Sequence, residues 1–326
     1  MARLEARGLH KRFEDVSAVA GIDLDVEPGE IFGLVGPDGA GKTTTLRLLV
    51  GVLDPDQGHA SLEGLRVDRE PDRVREQLGY MPQQYSLYAD LTVAENLRFF
   101  ADMHFVSRAD RKDRLARLYR FSRLEPYAHR RAGQLSGGMY KKLALSCNMI
   151  HNPRLLLLDE PTTGVDPLSR RELWEILYAF AAEGVAIVVS TPYMDEAERC
   201  HRVGLMSKGR FLETDSPKKI LASFPERIYE VLVPETHTAR AALEKAEGVL
   251  RSYPSGEVLK VACAPEAGGK IIEAALGRAG IAASSIEQAV PTFEDVFLSL
   301  EGLSMDGESP SLRHSRGGGN PVASMC

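Results

Sequence analysis

Apolar positions along the chain recur with two periods, and the switches between them lay out the expected elements. Up to about residue 216, short runs rich in β-branched residues alternate with amphipathic stretches, the pattern of a sheet flanked by helices. Ile31–Val35 is almost entirely apolar and feeds a glycine-rich turn, so it reads as a buried strand followed by a helix over Lys42–Val50 that Gly51 can end. Residues 154–159 and 185–190 are further strands, apolar enough to be covered on both faces near the middle of a parallel sheet. Thr92-Val93-Ala94-Glu95 has the form of a capping box, in which the threonine hydroxyl accepts from the Glu95 amide and Glu95 bonds back. Val93, Leu97 and Phe100 then follow at helical spacing, and a second helix rich in Arg and Asp follows Ser107, so the two form an inserted helical lobe. Asp166-Pro167, an N-cap acceptor and a first-turn proline, opens a helix expected to run to Gly184.

Beyond Phe224 the pattern changes to a strand at 227–233, a helix near 238–247, a hairpin about Pro254-Ser255-Gly256, another helix and another strand. This reads as a small βαββαβ domain closing in a capped helix over 292–300. After Gly302 the chain is rich in Gly, Ser and Pro, a composition that cannot bury enough surface to fold. The expected organisation is therefore a domain over 1–222, a smaller one over 226–302 and a disordered tail over 303–326.

Composition narrows the class. At 326 residues, 44% hydrophobic and 26% charged, the chain has the makeup of a globular protein large enough for two domains. A net charge of -6 and a pI near 5.8 leave no basic field, so nucleic acid is not an expected partner. Cys147, Cys200, Cys263 and Cys326 show neither CxxC nor Cys/His metal spacing and read as reduced thiols of a cytosolic protein. The first residues lack an apolar h-region, and no apolar run approaches the roughly 18 residues that span a bilayer. The expected location is cytoplasmic, or peripheral on a membrane.

Gly36-Pro37-Asp38-Gly39-Ala40-Gly41-Lys42-Thr43 satisfies GxxxxGK[ST] between an expected strand and an expected helix, the context the motif requires. Glycines let backbone amides turn inward around phosphates, the helix N-terminus adds positive dipole, Lys42 can meet β and γ oxygens, and Thr43 can ligate magnesium. A chance glycine turn is the plainer alternative. Downstream, Leu155-Leu156-Leu157-Leu158 ends in Asp159 and Glu160, where Asp159 could hold a magnesium shell and Glu160 could orient an attacking water. Taken alone, that pair could equally be two solvated acids at a strand end. Leu135-Ser136-Gly137-Gly138-Met139 begins a helix capped by Ser136, with Met139, Leu143, Cys147 and Ile150 on one packing side and the N-terminus free to meet an anion.

The order of these segments, with Gln83 in Gly79-Tyr80-Met81-Pro82-Gln83 before the Leu-Ser-Gly-Gly run and Gly164-Val165-Asp166 after the acid pair, resembles the nucleotide-binding domain of ABC transporters over about residues 3–222. The resemblance implies an α/β P-loop NTPase fold of the ABC cassette type with a helical subdomain, plus a small α+β, ferredoxin-like C-terminal domain. It implies ATP and Mg2+ as ligands, bound by residues 36–43 and Thr44, with Thr43, Gln83 and Asp159 toward the metal and Glu160, Lys42 and Gln83 in the catalytic group. In that family two cassettes pair head to tail, so Ser136, Gly137 and Gly138 of one would close over ATP held by the other, and residues 164–166 would form the D-loop between the sites. Phe13 lies where the family stacks an aromatic on adenine, with a core phenylalanine as the alternative. Residues 85–90 fall where the family receives its permease. The C-terminal segment, closing in Pro291-Thr292-Phe293-Glu294-Asp295-Val296-Phe297, resembles more loosely the regulatory extension of exporter ATPases that serve ABC-2-type integral-membrane permeases on the inner face of the cell membrane.

The sequence departs from the family at one place. In the stretch Ser190-Thr191-Pro192-Tyr193-Met194-Asp195-Glu196, Pro192 stands where the family's switch histidine contacts the γ-phosphate. Proline offers neither an imidazole nor an amide N–H, so binding could survive while hydrolysis slows. Two arrangements stay open: a homodimer that works without the histidine, or a degenerate site paired with a second, more complete cassette. A soluble ABC protein acting on ribosomes or DNA would need two cassettes in one chain or a long coiled-coil insert, and neither is seen here.

Overall fold

The computed structural model describes residues 4–84 and 87–302, and the expectation for a 303–326 tail lies outside them. The described residues divide into two compact units, 4–84 and 87–224 with 292–301, and 225–291 with Gly302.

The first unit runs through β1 (Leu4–Phe13), β2 (Val16–Val26), β3 (Ile31–Val35), α1 (Lys42–Val50), β4 (Gln57–Leu62), β5 (Leu65–Arg66), α2 (Pro71–Arg75), β6 (Leu78–Met81), α3 (Val93–Met103), α4 (Arg108–Ser122), α5 (Gly137–Met149), β7 (Leu155–Asp159), α6 (Pro167–Ala182), β8 (Ala186–Thr191), β9 (Arg202–Ser207), β10 (Arg210–Asp215) and α7 (Pro217–Ser223). Its central sheet has the order β10-β9-β3-β8-β7-β6, parallel except for β10. The apolar runs are apolar because both faces are covered. Ile31, Val35, Leu156, Leu158, Ile187 and Val189 pack with α5, α6 and the helical lobe, while Phe32, Leu34, Leu155, Leu157 and Val188 pack on the other side with α1. That second side is completed by an antiparallel sheet, β2-β1-β4-β5, which the sequence reading did not resolve from the sheet-and-helix alternation.

Local signals place the helices closely. Gly51, at φ 72°, ends α1 and donates back to Arg47 and Leu48. Both bonds of the Thr92–Glu95 capping box form, Ser107 caps α4, and Asp166 caps α6 by accepting from the Ser169 amide. The expectation of a one-sided α5 is corrected, because residues Lys142 to Met149 are all buried. This helix is wedged between the sheet and the lobe formed by α3 and α4, so no face of its second half reaches solvent.

The second unit contains β11 (Arg227–Leu232), α8 (Thr236–Leu243), β12 (Val249–Ser255), β13 (Val258–Cys263), α9 (Gly269–Arg278) and β14 (Ser285–Ala289). Its antiparallel order, β12-β13-β11-β14, is that of a ferredoxin-like βαββαβ fold. The last helix, α10 (Phe293–Glu301), is capped through Thr292 and Asp295 as expected, but it groups with the first unit. Phe293 and Val296 join the same apolar cluster as Ala197 and Ile220, so the small unit ends near 291 and not at 302.

Candidate nucleotide site

The site forms where β3, β7 and β8 end side by side. The turn after β3 is held by main-chain geometry. The Gly36 amide donates to Thr191 O at 3.2 Å, and the Ala40 amide donates to Pro37 O at 3.2 Å. Gly41 adopts φ 103° as the N-cap of α1, a conformation closed to most side chains, and a Cβ there would lie 2.3 Å from Ala18 O. A Cβ on Gly36 would lie 2.1 Å from Met206 O. No side chain caps α1 and its first turn holds no acid, so its leading amides face outward with the helix dipole unopposed.

Lys42 begins that helix and is buried. Its Nζ donates to Gly36 O at 2.8 Å and Pro37 O at 3.0 Å, and lies 3.6 Å from Glu160 Oε1. Burial pushes its ammonium below the ordinary lysine value, against the upward pull of Glu160 and Asp38. Thr43 Oγ1 donates to Asp159 Oδ1 at 3.0 Å, and Ser190 Oγ donates to the same oxygen at 2.7 Å. Asp159 is 1% exposed, and its other oxygen, Oδ2, is buried without a hydrogen-bond partner. A native interior seldom leaves a carboxylate oxygen bare. With the Thr43 hydroxyl and the Gln83 amide oxygen it makes an all-oxygen donor set, the kind that hard divalent cations such as magnesium take. The residues present therefore fit that ion.

Glu160 follows β7 at φ 49°, a left-handed backbone that costs a non-glycine residue about 1 kcal/mol or more and that clusters at functional sites. Its amide donates to Ser190 O and Oγ at 3.2 and 3.0 Å, which holds the strained turn. Its carboxylate Oε2 accepts from Gln83 Nε2 at 3.0 Å and from Thr163 Oγ1 at 3.2 Å. Lys42 and Gln83 on Glu160, and Thr43 on Asp159, are joined through the Ser190 hydroxyl, so residues separated by as many as 118 positions along the chain form one bonded group.

Other expected residues stand apart from this group. Ser136 caps α5 by accepting from the Met139 amide at 3.3 Å, and Ser136 and Gly137 are exposed. Gly138 is buried where a Cβ would lie 2.2 Å from Ser169 Oγ. No hydrogen bond or ion pair among the described residues links 136–138 to 36–43. Phe13 is 45% exposed at the tip of the β1–β2 hairpin, in register with the exposed Val16 and with Lys11 Nζ 5.8 Å from its ring. It is not a core phenylalanine, and its ring is available for stacking. Of residues 85–90, Tyr85 and Ser86 lie outside the described residues; the Leu87 amide donates to Tyr140 Oη at 2.7 Å and the Tyr88 amide to Asn96 Oδ1 at 3.1 Å.

The sequence reading did not assign Ser190, Thr163 or Lys141. Ser190 lay inside the switch stretch, quoted without a role, and Thr163 follows the acid pair, but neither has a pattern that announces its partner. Lys141 is lowered by burial and pulled back up by Glu160 and Asp159, which puts it within the field of both acids.

Residues 19–163 match the ABC transporter family. The chain is 41% identical over 318 residues to the probable multidrug ABC transporter ATP-binding protein YbhF of Escherichia coli, covering 95% of this chain but only 54% of that relative. It thus spans about half the length of that protein. It is 37% identical to the Nod factor export ATP-binding protein I of Burkholderia pseudomallei, over 94% of this chain and 99% of the relative. A solved ATP-binding subunit of an ABC transporter matches with a TM-score of 0.62 and 32% identity, over 68% of this chain and 92% of its own. Likeness along nearly the whole of a relative, together with the bonded phosphate-loop and acid group, means that the chain belongs to the ATP-binding proteins of ABC transporters.

Proposed function

We propose that this chain is the motor subunit of an exporter, binding and hydrolysing ATP on the inner face of the cell membrane to drive a separate integral-membrane permease of the ABC-2 type. The observation that carries the reading is the bonded group of Lys42, Thr43, Gln83, Asp159 and Glu160 at the ends of β3 and β7, with Asp159 Oδ2 left bare. Residues 36–44 cradle the phosphates with main-chain amides, and Lys42 meets the β and γ oxygens. Thr43, Asp159 and Gln83 would hold magnesium, which would supply charge neutralisation at the phosphates. Glu160 orients the attacking water, with Gln83 and Thr163 fixing its carboxylate. Phe13 stacks on adenine, and Ser136 to Gly138 close over the nucleotide of a second cassette, which suits the exposure of Ser136 and Gly137 and the separation of the segment from 36–43.

Export is supported by the names of the relatives, a multidrug protein and a Nod factor export protein. The ferredoxin-like unit and its closing segment, which resemble loosely the regulatory extension of exporter ATPases, support an ABC-2 permease and a regulatory or dimerisation role. The permease surface would include Tyr88, Phe99, Met103 and Phe105, exposed on or beside α3, with Phe105 94% exposed. Among the described residues no helix is long and apolar enough to cross a membrane. Co-sedimentation with membranes only when a permease is co-expressed would support the docking, and sedimentation regardless of the permease would refute it.

Pro192 favours a second reading, a degenerate cassette that binds ATP, hydrolyses it poorly and pairs with a more complete partner. Against it stands Glu160, held by Lys42, Gln83 and Thr163 without help from residue 192. Magnesium-dependent hydrolysis by the full chain, beside Glu160→Gln and Pro192→His, separates the two. The exporter reading expects the native chain to exceed the Glu160→Gln blank at least about tenfold. A native rate equal to the blank, with Pro192→His above it, would establish the degenerate site.

A further inference from the structure

Glu196 is fully buried, with 0% exposure, and belongs to none of the roles above. Its Oε2 accepts from Thr191 Oγ1 at 2.6 Å and from Thr162 Oγ1 at 3.1 Å. Its Oε1 accepts from Trp174 Nε1 at 3.2 Å and lies 3.7 Å from Arg170 Nε. The donors come from three segments: the turn that follows Glu160, the helix α6, and the switch stretch itself. Thr191 Oγ1 also accepts from the Tyr193 amide at 3.1 Å, and the Arg170 guanidinium sits 4.4 Å from the centre of the Tyr193 ring.

Pro192 brings no amide hydrogen and no side-chain donor, so residue 192 cannot secure its own segment. The residues on either side do so instead. Ser190 is bonded to Asp159 and Glu160, Thr191 to Glu196, and Tyr193 to Thr191 and Arg170. An ionised carboxylate offers enough lone pairs for the three hydrogen-bond donors and a charge for the Arg170 guanidinium, whereas an amide in its place offers one acceptor oxygen and cannot serve both ends.

We propose that Glu196 is a positioning residue that locks the switch segment around Pro192 to the turn carrying Glu160, and that the Thr162–Glu196–Trp174 chain relays occupancy of the nucleotide site to α6. The proposal rests on the ATPase reading. It concerns alignment for hydrolysis and leaves affinity to the phosphate loop.

Trp174 is the one tryptophan of the chain, so its emission reports on this carboxylate directly. The full chain and its Thr162→Val, Thr191→Val and Glu196→Gln variants would be titrated with Mg-ATP, following Trp174 emission, heat of binding and hydrolysis. In the native chain the emission change is expected to share its midpoint with binding. Thr162→Val, which keeps the side-chain shape and removes one of the donors to Glu196, is expected to lower the melting temperature moderately while it keeps affinity within about threefold, loses most of the emission change and loses about tenfold in kcat at little change in KM. Glu196→Gln is expected to lose at least as much. A merely structural role would lower the melting temperature without this split. Saturating ATP with no emission change in the native chain, or Thr162→Val retaining both the full change and kcat within about twofold, would overturn the inference alone. Absence of any heat of ATP binding would overturn the nucleotide reading, and this inference with it.

Discussion

The glycine-rich turn at 36–43 and the switch segment at 190–196 leave the ends of adjacent parallel strands, β3 and β8, yet they are held in opposite ways. The turn is fastened mainly through main-chain atoms: the Gly36 amide bonds Thr191 O, the Ala40 amide and the Lys42 side chain bond carbonyls of the turn itself, and Gly36 and Gly41 sit where any Cβ would strike a neighbouring carbonyl. The switch segment is fastened by side chains, and its partners at Asp159, Glu160, Thr162, Arg170 and Trp174 arrive from another strand, a turn and a helix. A backbone-built site tolerates almost no change at a few positions. A side-chain-built one is expected to tolerate replacement of its central residue, here Pro192, so long as the neighbours keep their bonds.

The hardest test of this contrast is Gly36→Ala, whose Cβ would fall 2.1 Å from Met206 O. It should cost about 4 kcal/mol or more, read as a lowered melting temperature and loss of ATP binding. Gly39→Ala, whose Cβ meets nothing within 4 Å, should cost only about 1 kcal/mol for its φ of 80°. Equal effects at the two glycines would show that close approach does not hold the turn. Next in size, Glu160→Gln should lower kcat about a hundredfold, about 3 kcal/mol, with ATP affinity intact. An equal loss of affinity would move Glu160 from the chemistry into the phosphate cradle.

A third test asks whether the buried acids of these two regions set the pH dependence of stability. We expect a histidine outside both to dominate below neutrality. His151 stacks on His104 at 3.9 Å, and its Nε2 lies 3.1 Å from Leu78 O. Burial, then the neighbouring His104, lowers it from 6.5 to about 4. The native state therefore favours the neutral ring. Its contribution is complete above pH 6.5 and is lost progressively as pH falls from 6.5 toward 4, by about 2 kcal/mol between pH 7 and pH 5. Urea unfolding at the two pH values should show that loss, and His151→Gln should remove most of it. A His151→Gln chain that keeps the whole loss would return the effect to the acids of the site. The smallest effect on turnover is expected from Pro192→His, about a tenfold rise in kcat, near 1.4 kcal/mol, if the bonds of Thr191 and Tyr193 present position 192 to the nucleotide. No rise would mean that the segment is held in a place from which an imidazole does not reach the nucleotide.

Legibility in the sequence followed the range of the forces. Gly51, the Thr92–Glu95 box, Ser107, Ser136 and Asp166 announced helix ends because caps are settled within four residues. The turn at 36–43 could be read as a phosphate loop because its steric demands fall on consecutive residues. The antiparallel sheet was not read: Gly8, at φ 56°, and register shifts break the alternation of β1 between Ala6 and Leu9. Burial around the whole second half of α5 escaped notice for a similar reason, since its polar Lys142, Ser146 and Asn148 are paired inside the fold and look from sequence like a solvated face.

The sequence by itself determined the family, the phosphate loop, the acid pair after β7 and the succession of strands and helices, since each rests on residues adjacent in the chain. Only the tertiary structure decided that Thr43 and Ser190 share Asp159 Oδ1 while Oδ2 stays bare, that α10 groups with the cassette, and that one buried carboxylate at Glu196 gathers three segments. The reason is physical: a side-chain hydrogen bond is specified by where two strands and a helix happen to end relative to one another, and that placement depends on packing over the whole core.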